Sequence, residues 1–215
     1  MKSFVVIGLG LFGSRVARQL CELGSEVLAV DIHADLVQEI SGDVTNAVVA
    51  DARDHSVLKA LGVGSCDCAV VAIGDDFGAS VLVTMNLKEL GVPYIVCKAH
   101  DGTHRRVLEK LGADRVLIPE REVAERLAHS LYSPNVLEFI ELSDDYGIVE
   151  VPVPRSWADK SILQLNVRAK LGVNIIAIES QGKVNVSPSA QYILKKDDIL
   201  VVLGDYDSLA ALQGL

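Results

Sequence analysis

At 215 residues, half of them hydrophobic and only 5% aromatic, the chain has material for one domain of about 120–140 residues and a smaller one, with cores of Val, Ile, Leu and Ala. A formal net charge of -9 sets long-range electrostatics against DNA, RNA and anionic lipid, so no nucleic-acid partner is expected. No run approaches the roughly 18 unbroken apolar residues that cross a bilayer, and the N-terminus enters a strand without a basic n-region, so neither a membrane span nor an export signal is expected. The scattered cysteines, Cys21, Cys66, Cys68 and Cys97, form no Cys-x-x-Cys pair and read as structural thiols of a reducing cytoplasm rather than a zinc site.

In chain order, a predicted strand at 3–7 leads to a helix at 11–23, and a strand at 26–30 to a short helix at 34–40. A strand at 46–50 precedes a helix at 55–61, a strand at 68–73 a helix at 77–90, and a strand at 94–98 a helix at 103–111. Residues 115–118 make the sixth strand. Glycines follow most of these helices, where a left-handed C-cap belongs. Strands this apolar need helices on both faces, and the alternation implies parallel pairing. The expected fold class is α/β, with a doubly wound parallel-sheet Rossmann domain over 1–118. The helix predicted at 121–132, closed at 133–134, reads as a crossover and dimerisation arm, 119–134, offering Val123, Ala124, Leu127 and Leu131 to a partner. Strands at 136–142, 146–153, 173–179, 183–186 and 199–203, with helices at 162–171 and 209–212, make a small α+β domain over 135–215. Marginal alone, it is expected to pair with a copy of itself.

The chemistry gathers at Gly8-Leu9-Gly10-Leu11-Phe12-Gly13, directly after the first strand. Gly8 permits the tight turn, Gly10 lets backbone approach a pyrophosphate, and Gly13 lets helix and sheet close up. The following helix start favours phosphate. Asp31 ends the second strand, 18 residues after Gly13, where a carboxylate takes the hydroxyls of an adenosine ribose. That acid disfavours a 2'-phosphate, so NAD(H), ADP or ATP is expected rather than NADP. Asp51 and Ala52 follow the third strand, where adenine should rest; Asp51 is either an adenine contact or the cap of the helix near His55. Gly74, with Asp75 and Asp76, lies at the same sheet edge. Lys98 ends the fifth strand as a phosphate partner or a solvated strand end. Glu120, at a helix start, either complements the dipole or belongs to the ligand site. The histidines His33, His55, His100, His104 and His129 read as solvated surface residues rather than catalysts. Nucleotide binding without catalysis is therefore the reading; the alternatives are a small NAD-dependent oxidoreductase and, against the acidic charge, a redox-sensing transcription factor.

Joined to the small second module, Gly8 to Gly13, Asp31, Lys98 and Glu120 make the chain resemble the KtrA/TrkA-type cytosolic regulatory subunits of Trk/Ktr potassium-uptake systems, built from RCK domains. The most specific stretches are 6–13 (VIGLGLFG), 27–31 (VLAVD), 107–119 (VLEKLGADRVLIP) and 165–171 (LNVRAKL). The resemblance implies a Rossmann lobe that binds ATP, ADP or NAD(H), and an arm helix that pairs subunits. It implies dimers assembled into an octameric ring against a membrane potassium-transporter subunit, at the inner face of the cell membrane. A carboxylate at the position of Glu120 implies a divalent or sodium ion near the nucleotide phosphates. Family members that respond to ATP commonly carry arginine where this chain has Leu11. Without that guanidinium a γ-phosphate loses a charge-assisted partner, which favours ADP and NAD(H).

In the small lobe, Arg168 and Asn174 flank the end of the predicted helix 162–171, beside Ile162, Leu163 and Ile175. Arginine grips phosphate, asparagine reads an adenine edge, and aliphatic side chains sandwich a purine. Two such half-sites across a two-fold axis suit cyclic di-AMP, and the resemblance points to the same positions. Alternatively, Arg168 caps the helix and Asn174 merely begins a strand.

Overall fold

Val5 and Ile7 of the first strand join one buried cluster and Val6 another, all at most 2% exposed. A strand apolar on both faces needs cover on both faces. The strand is β1 (Ser3–Ile7), and the computed structural model, which describes residues 1–132, 138–143 and 145–213, puts it inside a six-stranded parallel sheet. With β2 (Glu26–Asp31), β3 (Asn46–Val49), β4 (Cys68–Val71), β5 (Ile95–Lys98) and β6 (Arg115–Leu117), the order is β3-β2-β1-β4-β5-β6. The helices divide between the faces. Ala17 of α1 (Leu11–Glu22) and Val37 and Ile40 of α2 (Ala34–Ile40) pack with Val6. Leu58 of α3 (His55–Ala60), Val83 and Leu87 of α4 (Phe77–Glu89) and Leu108 of α5 (Gly102–Lys110) pack with Val5 and Ile7. This is the doubly wound sheet expected, each element ending within two residues of its predicted bounds.

One histidine departs from the expectation. His104 is only 3% exposed, because it shares the inward stripe of α5 with Leu108. Its Nδ1 accepts the His100 backbone N–H at 3.3 Å, so the ring proton belongs on Nε2, 3.2 Å from the Ser80 hydroxyl. The Phe77 ring packs against it at an interplanar angle of 60°, centroids 4.8 Å apart. Burial holds its pKa below the ordinary histidine value, against the attraction of Asp101. Cys68 and Cys97 are buried as expected, and burial pushes both thiols up to about 11. Cys21 and Cys66 are half-buried.

The chain divides into two units, Met1–Pro119 and Glu120–Leu215. The second begins in α6 (Pro119–Tyr132), on which Val123, Leu127 and Leu131 are all more than half exposed. The predicted stop at 133–134 and the first two residues of the predicted strand 136–142 lie outside the described residues. The rest is an antiparallel sheet of β7 (Glu138–Glu141), β8 (Tyr146–Pro152), β9 (Asn174–Ser180), β10 (Lys183–Asn185) and β11 (Ile199–Asp205), in the order β10-β9-β11-β8-β7. The single helix expected at 162–171 is two, α7 (Ile162–Leu165) and α8 (Val167–Leu171), because Asn166 between them is left-handed at φ 48°. With α9 (Tyr206–Gln213) they cover a core of Val149, Val151, Trp157, Val167, Ile178, Leu200, Val202 and Leu209. Among the described residues no helix is long and apolar enough to cross a membrane.

Candidate nucleotide site

A cavity of about 280 Å³ opens where β1, β2, β3 and β4 end. Its walls are Ile7 at the end of β1 with Gly8 and Gly10 beyond, Val30 to His33 around the end of β2 with Leu36, Ala50 to Arg53 after β3, Ala72 to Asp76 after β4, and Ala79 and Val83 of α4. Strands β1 and β4 are neighbours in the sheet but not in the chain, and the crevice at such a switch point is where open α/β sheets take ligands.

The three glycines do different work. Gly8 has φ 93°, its N–H donates to the Val30 carbonyl at 2.9 Å, and a Cβ on it would meet the Ala72 carbonyl carbon at 3.0 Å. A Cβ on Gly13 would overlap the Gly8 carbonyl oxygen and stand 2.9 Å from the Ala72 Cβ, so only glycine lets α1 come this close to the sheet. Around Gly10 nothing lies within 4 Å of where a Cβ would be, and the residue lines the cavity, open to a ligand.

Asp31 links β2 to the glycine loop. Its Oδ2 accepts the Leu9 N–H at 2.6 Å; its Oδ1 accepts the His33 N–H and the His33 Nδ1, both at 2.9 Å. Burial alone pushes this carboxyl up, but these donors outweigh it and hold the pKa below the ordinary value, so the group is ionised at neutral pH. The alternatives at Asp51 resolve against the cap: the N-cap of α3 is Asp54, which accepts from Ser56 N–H at 2.8 Å. Asp51 instead grips Arg53, with Nε 2.9 Å from Oδ1 and the terminal nitrogen 2.8 Å from Oδ2, and these bonds hold its carboxyl below the usual range. Both line the cavity beside Ala52.

Asp31, Asp51, Asp75 and Asp76 face only Arg53 and His33 as potential cations in this wall. The wall is therefore mainly acidic, and beyond it lies Lys98. Its Nζ lies 3.4 Å from where a Cβ on Gly74 would stand and 6.0 Å from the centre of the Phe12 ring. The structure thus brings Gly8, Gly10, Asp31, Asp51, Ala52 and Gly74 into one cavity, with Lys98 near Gly74 and Phe12. Leu11 does not join them, its side chain 96% exposed. Sequence reasoning missed Ile32, His33, Leu36, Arg53 and Val83 as wall residues. Of these Arg53 and His33, each two residues beyond an acid at a strand end, carried a signal.

Glu120 lies in the first turn of α6, in the second unit. Among the described residues no three His, Cys, Asp or Glu side chains converge to hold a metal ion, so Glu120 offers one carboxylate donor. In the small lobe, Leu163 and Arg168 are exposed, while Ile162, Asn174 and Ile175 are half-buried, both isoleucines packed against the core. The stop of α8 is Gly172, left-handed at φ 73°, rather than Arg168. Asn174 does begin β9.

Residues 4–119 match the TrkA-N domain and residues 147–215 the TrkA-C domain. The chain is 44% identical over 209 residues to Ktr system potassium uptake protein C of Bacillus subtilis, covering 97% of this chain and 95% of that one. It is 36% identical to Ktr system potassium uptake protein A of Vibrio alginolyticus, over 97% of this chain and 95% of that one. Among solved structures, the GsuK RCK domain superposes with a TM-score of 0.69 at 21% identity and the GsuK channel bound to NAD with 0.69 at 19%. All of this chain is covered in both, but only 47% and 39% of those longer chains, and at such identity the likeness is one of fold.

Proposed function

This chain belongs to the family built of a TrkA-N and a TrkA-C domain, and from that premise we propose that it is the nucleotide-sensing regulatory subunit of a Ktr-type potassium-uptake system, acting by binding rather than catalysis. The observation that carries the sensing role is the convergence of Gly8, Gly10 and an ionised Asp31 on one cavity at the switch point of the sheet. The near-full-length likeness to two Ktr system potassium uptake proteins supports the transport role.

In this reading adenine rests by Ala52 and the Asp51–Arg53 pair, ribose on Asp31, and phosphates over Gly10 toward Lys98. With Leu11 in place of a cation, ADP and NAD(H) are taken at least as well as ATP. Glu120 lends one oxygen to a divalent or sodium ion completed by other subunits. The exposed stripe of α6 pairs subunits, dimers close into an octameric ring on the inner face of the membrane, and the small lobe takes cyclic di-AMP between two copies. Ligand occupancy biases one ring geometry, and the ring transmits that bias to the membrane subunit.

The test is potassium flux in vesicles holding a Ktr-type membrane subunit together with the full chain. Flux should respond to added nucleotide, and Asp31→Ala should keep the association while losing the response. Flux indifferent to the chain, or consumption of NADH with carbonyl substrates, would sink the proposal.

A further inference from the structure

An ionised carboxylate offers about four lone-pair positions, two on each oxygen, and can only accept. At Asp31 three are taken from within the chain: one on Oδ2 by the Leu9 N–H, and two on Oδ1 by the His33 N–H and the His33 ring. Because the carboxylate cannot donate, the ring carries its proton on Nδ1 here. A ribose that sets both its 2'- and 3'-hydroxyls on Asp31 needs two positions, and one remains. The Leu9 and His33 N–H groups are fixed by the backbone of the glycine loop and of the turn after β2. The imidazole turns on side-chain torsions, is 63% exposed, and lines the same cavity.

We propose that His33 is a specificity-determining gate for a vicinal diol: its ring occupies the acceptor position that one ribose hydroxyl requires, and it leaves that position when a nucleotide binds. The inference rests on the nucleotide reading of this cavity and adds an internal competitor to it. Every ribonucleotide must break the Asp31–imidazole hydrogen bond, so its affinity is lowered by the worth of that bond. A nucleotide without the diol leaves the ring in place and escapes the penalty.

Calorimetry on the full chain tests this with two probes, ADP and 2',3'-dideoxy-ADP. Removing the ring in His33→Ala should tighten ADP by about two- to tenfold, the net worth of one such bond, and leave dideoxy-ADP unchanged. Unchanged or weaker ADP binding in His33→Ala overturns the gate, the weaker case making the ring a ligand contact. An equal gain for both probes also overturns it, since the effect is then one on the fold. Equal affinity of the His33→Ala chain, which has no competing ring, for both probes removes the diol from Asp31 and overturns the gate alone. No binding of ADP to the wild-type chain overturns the nucleotide reading and the gate with it.

Discussion

Gly10 and Gly13 stand three residues apart in one motif, yet the same substitution should do opposite things to them. A Cβ at position 13 overlaps the Gly8 carbonyl oxygen and lies 2.9 Å from the Ala72 Cβ and 3.0 Å from the Gly8 carbonyl carbon. Carbon atoms rest at about 3.5–4.0 Å and the overlapped carbonyl oxygen asks for more still, so α1 must withdraw by roughly 1 Å or more. The obstacles are backbone and a Cβ, which no rotamer change relieves. Overpacking of this kind costs about 1–3 kcal/mol, and the backbone contact argues for the upper end. At about 4 °C per kcal/mol for a unit of this size, Gly13→Ala should melt about 8–12 °C below wild type. Gly10→Ala meets nothing within 4 Å, so its melting temperature should stay within the change of about 0.5 kcal/mol usual for surface positions. In the proposed binding mode, however, its methyl stands in the path of the phosphates, and ADP affinity should fall by about tenfold or more, about 1.4 kcal/mol per decade. Circular dichroism melts and calorimetry read the two effects separately. A Gly10→Ala chain that binds ADP as wild type does, or a Gly13→Ala chain that melts with it, would refute the division of labour argued here.

Leu11→Arg should raise ATP affinity over ADP by about ten- to a hundredfold, through a charge-assisted contact worth about 1.5–3 kcal/mol; a wild type that already prefers ATP a hundredfold would assign the γ-phosphate to another cation, such as Arg15, one turn further along α1. His104 is buried neutral with a lowered pKa, so the unfolded chain takes up a proton that the folded one resists. Stability from this site is full above the ordinary histidine value of about 6.5 and falls as pH drops below it. His104→Gln should flatten that slope in urea titrations from pH 7.5 to 5.5, and equal slopes would exonerate the histidine. Light scattering at micromolar concentration should return a closed oligomer; a monomer contradicts the pairing assigned to α6. Cyclic di-AMP should bind the full chain at one per dimer and be lost in Arg168→Ala, whereas no binding below roughly 100 μM, about −5.5 kcal/mol, leaves the small lobe as a dimerisation module.

What the sequence disclosed and what it hid follow one physical division. The glycine turn and Asp31 were legible because their geometry is local: a strand end, a turn and a helix start fix where those backbone groups point. One alternative left open and one misreading were also local and avoidable. A helix that begins at His55 takes its N-cap from the residue before it, so Asp54, not Asp51, was the cap to expect, which frees Asp51 to hold Arg53. His104 lies four residues before Leu108, on the inward stripe of α5, so its burial was written in the helical period. The break at Asn166 was likewise available, since asparagine is among the few residues that tolerate a left-handed backbone. The cavity wall is another matter. Ile32, Leu36, Arg53 and Val83 come together only because three strand ends separated by some twenty residues each converge at the switch point. Nothing about Leu36 or Val83 distinguishes a wall residue from a core residue of the same helix. The order β10-β9-β11-β8-β7 is hidden for the same reason: antiparallel register is chosen by contacts far apart in the chain. Geometry concentrated in a turn can therefore be read from residues alone. Which side chains the sheet gathers around that turn is settled only in three dimensions, as it is for Leu36 and Val83.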